Sequence, residues 1–214
     1  IQSALFTLLA VYATSMNFTI FEISIVTFLL AISGAIAQFP VGKISDFYDR
    51  RKVIIASTFG AAIFAVFTIF VSGQMYLPDG LATSKTWFYI FFIFFSFCSL
   101  PMFSLILAHT NDYITKDKFV AAGAGLQFVF GLGAISGPFL CSIFMDIVGS
   151  NGFFIFLFFF HSLIGVFGIY RMRIRPTIEN PDSQFVAMPQ TITPAGIELN
   201  PTTEPIEEPI KEEN

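Results

Sequence analysis

The sequence predicts an all-α polytopic membrane protein, and three observations carry that reading. The 214 residues are 55% hydrophobic and 12% charged, with a mean hydropathy of +0.74, whereas soluble domains carry about 25% charged residues. Uncharged apolar runs recur along the chain. At about 1.5 Å per residue, most are long enough for a hydrocarbon core of roughly 30 Å. Between two of them lie residues 42–53, Gly-Lys-Ile-Ser-Asp-Phe-Tyr-Asp-Arg-Arg-Lys-Val. With Asp46, Asp49, Arg50, Arg51 and Lys52 so close together, this segment has to sit at a membrane face and join two spanning helices.

Six spans are predicted, at about residues 1–14, 22–42, 53–73, 87–108, 119–145 and 152–170. The first is bounded by the polar stretch Ser15-Met16-Asn17-Phe18-Thr19 and reaches only about 20 Å as a helix, so one end is expected to be missing. Asn17-Phe18-Thr19 matches a glycosylation acceptor but lies too near the bilayer to be read as one. The second span runs from Glu22 to the charged segment. The third follows the basic run and ends before a connection containing Pro78-Asp79-Gly80, a turn former. The fourth ends at His109-Thr110-Asn111-Asp112, where Asp112 is expected to cap a helix or pair with Lys116 or Lys118. The fifth is rich in glycine, and 148–152 form a tight reversal into the sixth.

The distribution of positive charge orients these spans. Of 11 Lys and Arg residues, Lys85 alone falls on one side. Lys43, Arg50, Arg51, Lys52, Lys116, Lys118, Arg171, Arg173, Arg175 and Lys211 fall on the other, the cytoplasmic side by the positive-inside rule. Both termini are then cytoplasmic. A compact membrane protein with loops this short suits a bacterial inner (plasma) membrane.

The charged segment resembles the cytoplasmic loop signature of the major facilitator superfamily (MFS). Gly42, Asp46, Arg50 and Arg51 stand at the signature's spacing, and Lys52 extends its basic run. Phe47 stands where the signature has a basic residue, and Asp49 where it has glycine. The resemblance implies twelve spans in two six-span halves. The segment's place between the second and third spans, with a hydrophilic tail after the sixth, implies that this chain is the C-terminal half. Its partners would be the lipid bilayer, the missing N-terminal six-helix half, a small-molecule substrate and a coupling proton, whose titrating carboxylate would lie in the absent half. Physically, Gly42 eases the exit from a helix end, and Asp46 can cap a helix or pair with Arg50 or Arg51. Two readings follow: an Asp46–Arg50 latch that biases gating, or a loop that sets topology alone.

In the fifth span Gly125, Gly133, Gly137 and Cys141 recur at multiples of four, and Pro138 removes a backbone donor. Such small faces let helices approach closely in lipid, either as static packing or as surfaces that slide. Gly34, Gln38 and Gly42 are similarly spaced on the second span. The Phe-rich sixth span (Phe153, Phe154, Phe156, Phe158, Phe159, Phe160) is apolar all round, which suits a peripheral, lipid-facing helix. Substrate-cavity candidates are Tyr12, Gln38 and Gln127. By the resemblance, the first, second, fourth and fifth spans face the cavity. Gln2, Ser99 and Ser104, near Pro101, are further polar groups within spans.

His161 is the ionisable group in the middle of a span. It is expected to stay neutral and bond a backbone or hydroxyl group; a proton relay is the alternative. Cys98 and Cys141 read as apolar fillers, and no cluster suggests a metal or cofactor. No catalytic residue is expected. The enzyme alternative is an intramembrane serine protease using Ser136 and His161, although the Gly-x-Ser pattern is absent. A membrane sensor on the same scaffold is a third reading. Residues 176–214 hold seven Pro, eight acidic residues and one Lys. They are expected to form an acidic, extended or disordered cytoplasmic tail that binds no nucleic acid, with 185–199 able to lie along the membrane face.

Overall fold

Among the described residues seven helices follow one another: α1 (Gln2–Ser15), α2 (Ile20–Phe47), α3 (Arg50–Gln74), α4 (Leu81–Ser99), α5 (Met102–Asn111), α6 (Phe119–Val148) and α7 (Gly152–Ile174). The computed structural model describes residues 1–74, 81–114, 118–174 and 185–188. The turn at Pro78–Gly80, Lys116, Arg175, Lys211 and most of the acidic tail lie outside these residues. Among the described residues five stretches are long and apolar enough to cross a membrane: Ile20–Phe47, Arg50–Gly73, Lys85–Asn111, Val120–Val148 and Gly152–Ile174. The remaining predicted span, α1, has 14 residues, about 21 Å of helix.

The ends of α2 follow from local chemistry. Thr19 and Glu22 form a capping box: Glu22 N–H donates to Thr19 Oγ1 at 3.3 Å, and Thr19 N–H donates to Glu22 Oε2 at 2.7 Å. Lys85 on α4 pairs with Glu22 Oε1 at 2.6 Å and tethers the same end. At its far end α2 runs on to Phe47, beyond the expected limit, so Asp46 stands in its last turn. The predicted charged loop is therefore mostly helix, and only Tyr48 and Asp49 link α2 to α3. The reversal into α7 turns on Gly149, whose φ of +80° is the left-handed conformation that glycine adopts without strain.

The predicted fourth span is one crossing made of two helices. Pro101 has no N–H, and α4 ends at Ser99 while α5 starts at Met102. A polar side chain from α1 serves the break: Gln2 Nε2 donates to the carbonyls of Ser99 and Leu100 at 3.0 and 3.2 Å. Backbone groups freed within hydrocarbon need such partners. Leu100, at the break, presses against Gly34 of α2.

α3 packs on α4 and α7, α2 on α4, and α6 on α1 and α7. The core lies where α1, α4 and α7 meet. Tyr12 is stacked on Phe153 at 5.0 Å between ring centres and meets Phe154 edge-on at 5.0 Å. Phe88, Phe92 and Phe95 extend the cluster. This corrects the expectation for the sixth span: Phe153, Phe154 and Phe156 are buried, and the exposed face is carried by Phe158, Phe159, Val166, Phe167 and Tyr170. The small residues also divide differently from the expectation. Gly137 meets Ser3 on α1, and Cys141 is buried, but a Cβ on Gly125 or Gly133 would touch nothing within 4 Å. The reason is that most of α6 is exposed and only part of it leans on α1 and α7. The α3–α7 contact uses other glycines: Gly165 faces the Phe59 ring and Gly168 faces Ile55.

Candidate functional site

The charged end of the bundle is organised around Arg50, the first residue of α3. Its Nη2 reaches Asp46 Oδ1 at 3.0 Å, in the last turn of α2, and its Nη1 reaches Asp112 Oδ1 at 2.9 Å, at the C-terminal cap of α5. Side-chain exposures are 6% for Arg50, 31% for Asp46 and 12% for Asp112. The guanidinium has two donor edges, so one cation bridges carboxylates from two helices. Asp112 caps α5 as expected and takes Arg50 as a partner that the sequence did not point to, while Lys116 lies outside the described residues. Folding brings the end of α5 to the start of α3, and Arg50 takes it; Lys118 is exposed.

Asp49, the residue that departs from the family's glycine, has a role of its own. Its Oδ1 accepts from the backbone N–H of Arg51 at 3.0 Å, which makes it the side-chain cap of α3. The same carboxylate takes the Arg51 side chain in a fork, Nε to Oδ1 at 3.1 Å and Nη2 to Oδ2 at 2.9 Å. Ser45 Oγ donates to the Gly42 carbonyl at 2.7 Å, closing the last turn of α2. Of the signature residues, Asp46 pairs with Arg50, Arg51 pairs with Asp49, and Gly42 stands one turn before Asp46 on α2. The sequence reading missed Asp112 and the cap at Asp49. An Asp directly before a helix was the available signal for the second.

A second polar group lies within the bundle at the Pro101 break. His161 on α7 is buried, with Nδ1 2.7 Å from the Leu157 carbonyl and Nε2 2.9 Å from Ser99 Oγ. The carbonyl can only accept, so Nδ1 carries the hydrogen and Nε2 accepts from the Ser99 hydroxyl. The ring is satisfied as a neutral group. Gln2, Ser3, Ser99 and His161 line one wall of a cavity of about 210 Å³ that also borders Ile1. Ser136 lies elsewhere: its Oγ donates to the Leu132 carbonyl at 3.0 Å, so it forms no dyad with His161.

The three cavity candidates are not brought together. Tyr12 belongs to the aromatic core, buried where the end of α1 meets the start of α7. Gln38 and Gln127 are half-buried on α2 and α6, which pack chiefly on α4 and on α1 and α7 respectively. Gln127 Oε1 is buried without a hydrogen-bond partner. Among the described residues no group of His, Cys, Asp and Glu could hold a metal ion.

Membrane-length helices joined through a buried ion-pair cluster at one end define an integral membrane protein of the helical-bundle class. The Major Facilitator Superfamily model matches residues 1–206, and the chain belongs to that family. It is 24% identical over 156 residues to an uncharacterized MFS-type transporter of Yersinia enterocolitica, a match covering 73% of this chain and 35% of that protein. It is 26% identical over 152 residues to YfkF, an uncharacterized MFS-type transporter of Bacillus subtilis, covering 69% and 35%. The matched part thus spans about a third of the length of these relatives. No solved structure matches the chain.

Proposed function

We propose that the chain is the C-terminal half of a secondary active transporter that moves a small solute by alternating access, gated at its cytoplasmic end by the Asp46–Arg50–Asp112 cluster. The observation that carries this reading is the burial of Arg50 between two carboxylates from different helices. A loop that only set topology would need positive charge at the surface. It would not need a guanidinium with 6% side-chain exposure tying α2 and α3 to α5. Such a cluster is a joint that is either made or broken, the kind of element whose two states a transport cycle can bias.

The remaining parts of the reading follow from charge and polarity. The ten-to-one split of basic residues supports cytoplasmic termini in a bacterial plasma membrane. The cavity beside the Pro101 break is lined mainly by apolar side chains, with Gln2, Ser3, Ser99 and His161 as its polar groups and no carboxylate, which suits a weakly charged or neutral solute. Coupling to protons then falls to an N-terminal half. The test is flux: the full-length protein in proteoliposomes, offered a panel of sugars, amino acids and amphiphilic drugs under an imposed proton gradient. Gradient-dependent accumulation of one of these classes is expected. Equal signals from protein-containing and protein-free vesicles for every class would count against transport.

A further inference from the structure

Residues Phe185, Val186, Ala187 and Met188 return to the charged end of the bundle and are held there at both ends. Phe185 N–H donates to Asp46 Oδ1 at 2.8 Å, the oxygen that Arg50 Nη2 also contacts at 3.0 Å. The Phe185 ring fills the space over Gly42 that a Cβ would need, and packs with Val41, Val53 and Leu105. At the other end Ser104 Oγ on α5 donates to the Met188 carbonyl at 3.0 Å, and Met188 N–H donates to the same hydroxyl at 3.2 Å. Met188 and Ser104 are buried, while Ala187 faces outward. An aromatic anchor, two backbone hydrogen-bond sites and an irregular backbone are the marks of a peptide ligand in a groove.

We infer that this tetrapeptide is an intramolecular clamp: an apolar segment of the chain's own tail that seats between α2, α3 and α5 and holds the charged turn in its ion-paired arrangement. The Phe185 amide and the Arg50 guanidinium bind one carboxylate oxygen. Seating the peptide therefore fixes the rotamer of Asp46 that Arg50 requires, and closure of the cluster fixes the acceptor that Phe185 requires. Gly42 is the seat for the ring, and a larger residue there would displace it. The effect on solute passage rests on the gating role proposed above: a seated clamp opposes rearrangement of the turn.

The test uses the full-length protein in lipid nanodiscs, with Cys98→Ala, Cys141→Ala and Val41→Cys making position 41, under the Phe185 ring, the single reporter of this chain. Its reaction rate with N-ethylmaleimide reads occupancy of the groove, and hydrogen exchange of amides 43–51 reads the turn. Phe185→Asp with Met188→Asp is expected to raise labelling at least about tenfold and turn exchange at least about fivefold, while Ala187→Asp leaves both within about twofold. Unchanged labelling in the double variant would overturn seating. Faster labelling with unchanged exchange would overturn clamping. An equal rise in Ala187→Asp would show charge-driven release, not side-chain seating, and would overturn the inference. Neither readout involves solute, so undiminished transport by Asp46→Ala would count against the gating role alone.

Discussion

At the scale of single residues, Arg50 is the position most sensitive to substitution. Arg50→Leu removes the guanidinium that bridges Asp46 and Asp112, and with Asp46 partly exposed to solvent the cost is about 1–3 kcal/mol, below that of a fully buried pair. A correspondingly lowered unfolding midpoint in detergent is expected, and a midpoint like that of the unchanged protein would contradict the buried geometry. Asp49→Ala removes a helix cap as well as the fork to Arg51, and is expected to cost about 1 kcal/mol. The Asp46–Arg50 pairing was legible in the sequence because opposite charges four residues apart in one short segment lie within reach of each other, here across the Tyr48-Asp49 link between α2 and α3. Asp112 was not, because 62 residues separate it from Arg50 and only the path of α4 and α5 brings them together. That His161 bonds a backbone carbonyl and a hydroxyl was legible, since a lone imidazole in hydrocarbon has to satisfy both nitrogens. Its partner Ser99, on another helix, was not.

At the scale of elements, the helices were readable and their faces were not. Twenty or so residues without charge suffice to mark a span, whatever packs on it. In lipid, however, the buried and exposed faces of a helix are equally apolar, so no periodicity separates Phe153, Phe154 and Phe156 in the core from Phe158 and Phe159 at the surface. Small residues are ambiguous for the same reason: Gly165 seats a ring of α3 whereas Gly133 is open. Gly165→Leu is expected to force α3 and α7 apart and cost about 1–3 kcal/mol as an overpacked contact. Phe59→Ala in the same protein should recover at least about 1 kcal/mol of that loss, the coupling expected of residues in contact. Additive losses in the four-protein cycle would place the two residues apart. The Pro101 break marks where polar groups enter the bundle, because Gln2, Ser99 and His161 all act within one turn of it.

At the scale of the molecule, the chain belongs to the Major Facilitator Superfamily and spans about a third of the length of its curated relatives. Class and family were legible from hydropathy and from the spacing of Gly42, Asp46, Arg50 and Arg51, since both are local properties of the chain. The cavity was not, because it depends on which walls face each other, and Tyr12 turned inward to the aromatic core. α2 and α6 expose long apolar faces, and the gate proposed above is the ion-pair cluster at the end of α2. The most direct measurement is uptake into proteoliposomes by the full-length protein carrying Asp46→Asn and Asp112→Asn, which keep side-chain size but strip Arg50 of both counter-charges. Uptake at least about tenfold below that of the unchanged protein, at equal reconstituted amount, is the expected result. Uptake at the unchanged rate would contradict a gate built on Arg50.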